Sequence, residues 1–303
     1  MPQINNIIFR CYFNNGDLHL VRSLIKYVTI ILPNISYQLK HPQSVKTLGD
    51  LSIPLIWNNI SDYRKFDNRG YHIENDTLII NVQYLAFNGI FFNQYKATIM
   101  TVWNIFNKTL SDVFGIELPR DYSLFLPKID YSYYETEYID DIFNKTKRNK
   151  NIIICNNKFE SEQAIEFDFD NIIHTLSHSF PNYTFYVTNS SKIINENVVH
   201  IYDKTKNMLG GNLNEISYLS TKCNILLGRN SGPHTFCYVK ENLLNPKTTF
   251  ISFSDKSMLY GDEPEKWVDF GVRSFTDKNK CAKFYNISTK KDRKRIEQLC
   301  QIL

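Results

Sequence analysis

Apolar and polar residues alternate along the chain in blocks whose period switches repeatedly between that of a strand and that of a helix. Near the start, residues 4–12 read as a strand and Asn14-Asn15-Gly16-Asp17 as a turn. Residues 18–32 then carry Leu20, Leu24, Ile25, Val28 and Ile31 at helical spacing. Residues 77–82 predict another strand. Residues 95–114 predict an amphipathic helix through Ile99, Val102, Trp103, Phe106, Leu110 and Phe114, with Gly115 where a helix commonly ends in a left-handed residue. This part reads as α/β, and the segments between its elements show no period that orders them.

The run Asn144-Lys145-Thr146-Lys147-Arg148-Asn149-Lys150-Asn151 is polar throughout and leads directly into Ile152-Ile153-Ile154-Cys155. That shift in composition marks a domain boundary and divides the chain into 1–147 and 148–303. Beyond it, strands at 151–155, 184–187, 198–202, 224–228 and 248–253 mostly alternate with helices at about 169–180 and 213–222 and a short one from about His234. A charged helix over about 289–303 closes the chain. Alternation of this kind with short connections specifies a parallel, doubly wound sheet. The pattern contains no internal repeat.

Composition narrows the class. A chain of 303 residues can bury one large core or two of roughly 150 residues each, and two are expected here. The net charge of +4 favours an anionic small molecule, and with no basic stripe a nucleic-acid partner is not expected. Cys11, Cys155, Cys223, Cys237, Cys281 and Cys300 show no paired CxxC spacing and read as reduced thiols of a cytoplasmic protein. No window approaches the roughly 18 apolar residues of a membrane span and no export signal is evident, which leaves peripheral membrane association open. His174 and His178 stand at i, i+4 without the acid of a HExxH site, and Asp140-Asp141 is not placed as a metal-binding DxD, so no metal is expected. Neither a G-x-S-x-G elbow nor a Walker A loop is present. Tyr133 and Tyr134 are candidates to line an acceptor cleft.

The sharpest local feature is "LLGRNSGPHTF", residues 226–236, where a buried-looking strand runs into a turn rich in backbone donors. In an open parallel sheet, ligands sit outside the carboxyl ends of the strands, and the loop that follows a strand presents N–H groups to them. Gly228 and Gly232 would let the backbone approach a ligand, Ser231 could hold a diphosphate, and Pro233 suits the first position of a helix. Read as residues alone, an ordinary βα turn explains the stretch equally well. Upstream, Glu215 sits in the first turn of the helix after Gly210-Gly211; it suits a ribose hydroxyl pair, or simply the helix N-terminus.

The stretch "LNEISYLSTKCNILLGRNSGPHTFCYV", residues 213–239, resembles the donor-binding segment of heptosyltransferase-like (glycosyltransferase family 9-like) enzymes of the GT-B fold. In those enzymes an acidic-start helix, a hydrophobic strand and a (D/N)-(S/T)-G-P loop follow one another. "IIFRCYFNNGDLHLVRSLIKYV" is similar to that family's first strand, Gly-Asp turn and helix. The resemblance implies two Rossmann-like domains facing across a cleft, with an acceptor domain first and a donor domain second. It implies inverting, metal-independent transfer of a sugar from a nucleotide-diphosphate sugar to a hydroxyl of a glycan or glycoconjugate, with no cofactor. Asp17 would be the general base, with Asn15 and Gly16 beside the acceptor. Asn157, Lys158, Glu215, Arg229, Asn230, Ser231, Gly232, Pro233 and His234 would hold the donor. As residues alone, Asp17 is also a helix cap and Lys158 a surface lysine. The chain departs from the family in two places. His234 follows Pro233 directly where relatives often place histidine one residue later, and Arg229-Asn230 stands in place of a neutral residue and an aspartate. These departures support an alternative, a catalytically inactive GT-B-like protein that binds a nucleotide or glycan. An unrelated α/β enzyme using a nucleotide sugar, such as an epimerase, would instead carry one continuous sheet.

Overall fold

The computed structural model describes residues 3–11, 15–41, 46–57, 70–82, 98–157, 167–201, 213–229, 232–254, 269–288 and 292–303. The chain divides into two compact units, Met1–Ile129 and Asp130–Leu303, so the polar run at 144–151 lies inside the second.

In the first unit, β1 (Asn6–Arg10) leads into α1 (Asn15–Ile31), followed by β2 (Ser36–His41), β3 (Leu55–Trp57), β4 (Tyr71–Glu74), β5 (Thr77–Asn81) and α2 (Ile99–Phe114). Among the described residues these strands form one sheet in the order β3-β2-β1-β5-β4. All pairings are parallel except β4 with β5. The central strand β1 buries Ile7 and Phe9 completely, and α1 covers the sheet with Leu18, Val21, Leu24, Ile25 and Val28. The helical pattern extends further toward the N-terminus than the sequence suggests: Asn15 and Gly16, read as a turn, belong to the first turn of α1. Phe9 stacks between Tyr37 and Phe106, with ring centroids 6.1 and 6.2 Å away. Thr98 caps α2 by accepting the Thr101 N–H, and Gly115 ends it at φ 68°, where the Ile116 N–H closes back on the Leu110 carbonyl at 3.3 Å.

Beneath α1, Arg22 and Asp50 form a buried ion pair at 2.5 Å with side chains 0% and 1% exposed. His19 Nδ1 faces Arg22 Nη1 at 3.1 Å. Since guanidinium only donates, that nitrogen is the acceptor and the proton of the neutral ring sits on Nε2.

The second unit opens with α3 (Glu137–Thr146) and β6 (Lys150–Cys155). It continues through α4 (Asp170–Ser179), β7 (Tyr183–Val187), β8 (Val198–His200), α5 (Leu213–Ser220), β9 (Ile225–Arg229), α6 (Gly232–Thr235), α7 (Lys240–Leu243), β10 (Thr249–Phe253), β11 (Lys283–Ile287) and α8 (Asp292–Ile302). Among the described residues all pairings in its sheet are parallel and the order is β11-β10-β9-β6-β7-β8. Numbered within the unit this is 6-5-4-1-2-3, the doubly wound dinucleotide-fold order, whose switch point lies between β6 and β9. The inner strands are apolar along their length because helices cover both faces. Ile152, Ile154, Phe185, Leu227, Ile251 and Phe253 meet Ile172, Ile173 and Leu176 of α4 in one core. Among the described residues each unit carries its own sheet, in contrast to the single continuous sheet that an epimerase-like reading would need.

Neither α7 nor β11 is evident in the sequence pattern: α7 spans a single turn, and β11 is an edge strand with alternating exposure. Asp140 accepts from Lys222 Nζ at 2.7 Å and Tyr218 Oη at 2.9 Å, which ties α3 to α5 and holds its carboxyl below the usual range. His174 and His178 lie against each other with ring centroids 4.3 Å apart and planes tilted by 33°. The six cysteines are free, and all but Cys300 are buried.

Candidate functional site

In each unit a sequence-predicted motif falls at the carboxyl end of a strand inside the sheet, where an open parallel sheet offers its crevice. Lys158, Asn230 and Ser231 lie outside the described residues. The other candidates can be placed.

In the second unit, Arg229 is the last residue of β9 and not part of the loop, as the sequence suggested. It is 3% exposed. Its Nη1 donates to the Asn157 carbonyl at 3.1 Å and its Nη2 to the Phe167 carbonyl, while the guanidinium packs against the rings of Phe167 and Phe169 at 4.5 and 4.7 Å. Neither a solvated surface arginine nor a hand open to a ligand describes it. Asn157 follows β6, and its Oδ1 accepts from Thr188 Oγ1 at 2.6 Å. Before it, Asn156 binds the Asn189 and Ser190 carbonyls, each at 3.2 Å. The loops leaving β6 and β7 are thus joined by the side chains of Asn156 and Asn157, a role no local pattern announces.

The two glycines of the motif differ. A Cβ on Gly228 would stand 2.8 Å from Cys155 Cβ and 2.9 Å from His234 Cβ, so this glycine admits packing of α6 against the sheet and not the approach of a ligand. A Cβ on Gly232 would meet nothing within 4 Å. Among the described residues Gly232, which begins α6, is therefore the glycine of the motif with room beside its backbone. With only Gly232–Thr235, α6 contributes the N–H groups of one turn and no long summed dipole. Glu215 in the first turn of α5 is partly buried, and burial, reinforced by the charge of Glu135, raises its carboxyl above the ordinary range.

His234, expected at the donor, is fully buried beneath the turn, with Nε2 3.1 Å from the Leu226 carbonyl. That contact makes Nε2 the proton-bearing nitrogen of a neutral ring, so only its backbone is left to face a ligand. Burial pushes the imidazole from 6.5 down to about 4. Between about pH 6.5 and about 4 the unfolded chain takes up a proton that the folded chain rejects. Stability therefore falls as pH drops through that window, by up to about 3 kcal/mol. Urea unfolding at pH 7 and pH 5 is expected to show this loss in the wild type and a smaller one in His234→Gln, which keeps a donor for the Leu226 carbonyl.

In the first unit, Asn15 and Gly16 are buried and Asp17 is half-buried in the opening turn of α1. Asn15 is 5% exposed, and its Oδ1 has no hydrogen-bond partner among the described residues. With 17 residues behind it, the start of α1 is a positive pole that stabilises the Asp17 carboxylate. Strand register adds residues the sequence reading passed over. Arg10 pairs with Lys40 on one side and Asn81 on the other, so these polar residues share one row at the carboxyl edge of the sheet. Arg10 and Asn81 are 6% and 5% exposed. Their signal in the sequence is only that a polar residue ends an apolar run.

No protein-family model matches the sequence, and no curated protein does either. Solved structures do. A glycosyl transferase family 9 protein from Veillonella parvula DSM 2008 matches with a TM-score of 0.50 at 10% identity, over 99% of this chain and 90% of that one. The E. coli ADP-heptose LPS heptosyltransferase II matches with a TM-score of 0.52 at 11% identity, over 99% and 98%. The fold is the GT-B-like fold of family 9 glycosyltransferases. In this GT-B-like chain Asn15, Gly16 and Asp17 open α1 of the first unit, and Gly232 and Pro233 open α6 after β9 of the second. Among the described residues no helix is long and apolar enough to cross a membrane, and no group of three or more His, Cys, Asp or Glu is arranged to hold a metal.

Proposed function

We propose that this protein is a glycosyltransferase that moves a sugar from a nucleotide-diphosphate sugar to an acceptor hydroxyl, with inversion and without a metal. One observation carries the reading. Nearly the whole chain matches the fold of family 9 and heptosyltransferase structures, and Asp17 opens the helix after β1 while Gly232 and Pro233 open the helix after β9. In this reading the diphosphate lies against the turn Asn230-Ser231-Gly232-Pro233, with Asn157 and Lys158 beside it. Glu215 takes the ribose hydroxyls. Asp17 accepts the proton of the acceptor hydroxyl as that oxygen bonds to the anomeric carbon and the nucleoside diphosphate leaves. Asn15 Oδ1 is a buried acceptor available to a second hydroxyl of the same ligand. The negative charge on the departing diphosphate is met by backbone N–H groups and a lysine, which is electrostatic stabilisation that needs no metal. A glycan or glycoconjugate is the acceptor class.

A thermal-shift screen against UDP, GDP, ADP, CMP and their sugars tests the donor half. A nucleotide at about 100 times its dissociation constant stabilises by about 2.7 kcal/mol, a rise of about 4–8 °C for a protein of this size. Gly232→Trp adds bulk where a Cβ meets nothing within 4 Å among the described residues, so it is expected to leave the fold intact and abolish that rise. A flat melting curve for every nucleotide overturns the donor reading.

A further inference from the structure

The donor motif adjoins a feature that neither the fold nor the proposed chemistry explains, a buried arginine whose two terminal nitrogens bind two backbone segments. Arg229 ends β9 on one side of the switch point. Nη1 takes the carbonyl of Asn157, just past β6 on the other side, and Nη2 takes the carbonyl of Phe167, just before α4. Asn157 continues the chain through its Oδ1 to Thr188, just past β7. One line of hydrogen bonds therefore joins the carboxyl ends of β9, β6 and β7. The guanidinium is seated on Phe167 and Phe169, and those two rings meet Phe253 of β10 at 5.2 and 5.7 Å. Arg295 of α8 lies over Phe167 as well, at 3.9 Å.

We propose that Arg229 is a positioning residue for donor binding: its planar fork holds the Asn157 and Phe167 carbonyls at one spacing and so fixes the backbone on both sides of the crevice that the donor turn borders. The inference rests on the donor reading above. The fork is the operative feature, because two donors fixed in one plane can satisfy two carbonyls from different segments while an ammonium group is a single point charge on a flexible stem. Arg229 acts through the backbone it holds, since its side chain is enclosed by carbonyls and rings and is 3% exposed.

The test begins with calorimetric titration of wild-type protein with UDP, GDP, ADP and CMP. With the nucleotide that binds best, Arg229→Met and Arg229→Lys are both expected to weaken affinity about tenfold, the scale on which small displacements of a binding group act. Arg295→Met is the control. It removes the other cation from Phe167 and lowers the melting temperature, yet it touches neither carbonyl and leaves affinity within about twofold of wild type. Wild-type affinity in Arg229→Lys would overturn the proposal, because charge alone would then suffice. Equal weakening in Arg295→Met would overturn it too, by showing that any loosening of the cluster acts. If the wild type binds a nucleotide and neither Arg229 variant changes the affinity, the inference fails while the donor reading stands. If the wild type binds none of the four, both fall.

Discussion

Replacing Asp17 with alanine is expected to lower sugar transfer about 10³-fold while nucleotide affinity stays within about twofold of wild type. The magnitude is that of a general base removed from a displacement at carbon, where proton transfer typically contributes 10²–10⁴-fold. Nucleotide affinity is spared because Asp17 opens α1 in the first unit, whereas the donor motif follows β9 in the second. Loss of the helix-terminus interaction alone costs about 0.3–1 kcal/mol, and a melting curve of Asp17→Ala separates loss of transfer from loss of fold. The measurement uses the donor identified by thermal shift and follows release of nucleotide in the presence and absence of acceptor. Transfer that survives in Asp17→Ala would remove Asp17 from the mechanism. A parallel loss of nucleotide affinity would show that its role is in binding.

The largest effect on stability is expected at Asp50. Asp50→Ala leaves the Arg22 guanidinium, 0% exposed, without its carboxylate, and breaking a buried pair from one side costs about 3–5 kcal/mol. Replacing both partners, as in Arg22→Met with Asp50→Leu, removes the buried charges together and is expected to recover most of that loss. Urea unfolding of the single and double variants measures the difference. A loss below about 1 kcal/mol in Asp50→Ala would mean that the arginine finds other compensation. His19 is expected to contribute through orientation, because its neutral ring accepts from the same guanidinium.

Much of the second unit is legible along the chain. Continuous apolar runs such as Ile152-Ile153-Ile154 and Ile225-Leu226-Leu227 belong to strands buried on both faces, and a run of that kind does not depend on which neighbour it acquires. The first unit is less legible. Its strands β2, β3 and β4 are short or mixed in polarity, and β4 is an antiparallel edge with Ile73 exposed, so tertiary pairing overrides weak local preference there. Around the turn after β9, the surroundings of three side chains differ from the expectation. Arg229 was expected to hold the donor and is buried on the Asn157 and Phe167 carbonyls. Gly228 looked like an approach for a ligand and is packed against Cys155 and His234. His234 looked like a donor contact and is a neutral core residue on the Leu226 carbonyl.

The sequence by itself determined where strands give way to helices in the βα units of the second unit, and that Asp17 and Pro233 stand near the starts of helices that follow strands. These depend on residue periods and turn chemistry within about ten positions of one another. Only the tertiary structure decided that β6 lies beside β9, that Arg10 shares a row with Lys40 and Asn81, and that Arg229 reaches the carbonyls of Asn157 and Phe167. Those partners stand 72 and 62 residues from Arg229 in the chain. The state of a buried polar group is set by whatever partner the fold brings within hydrogen-bonding distance, and strand order, which selects that partner, arises from packing of the whole sheet.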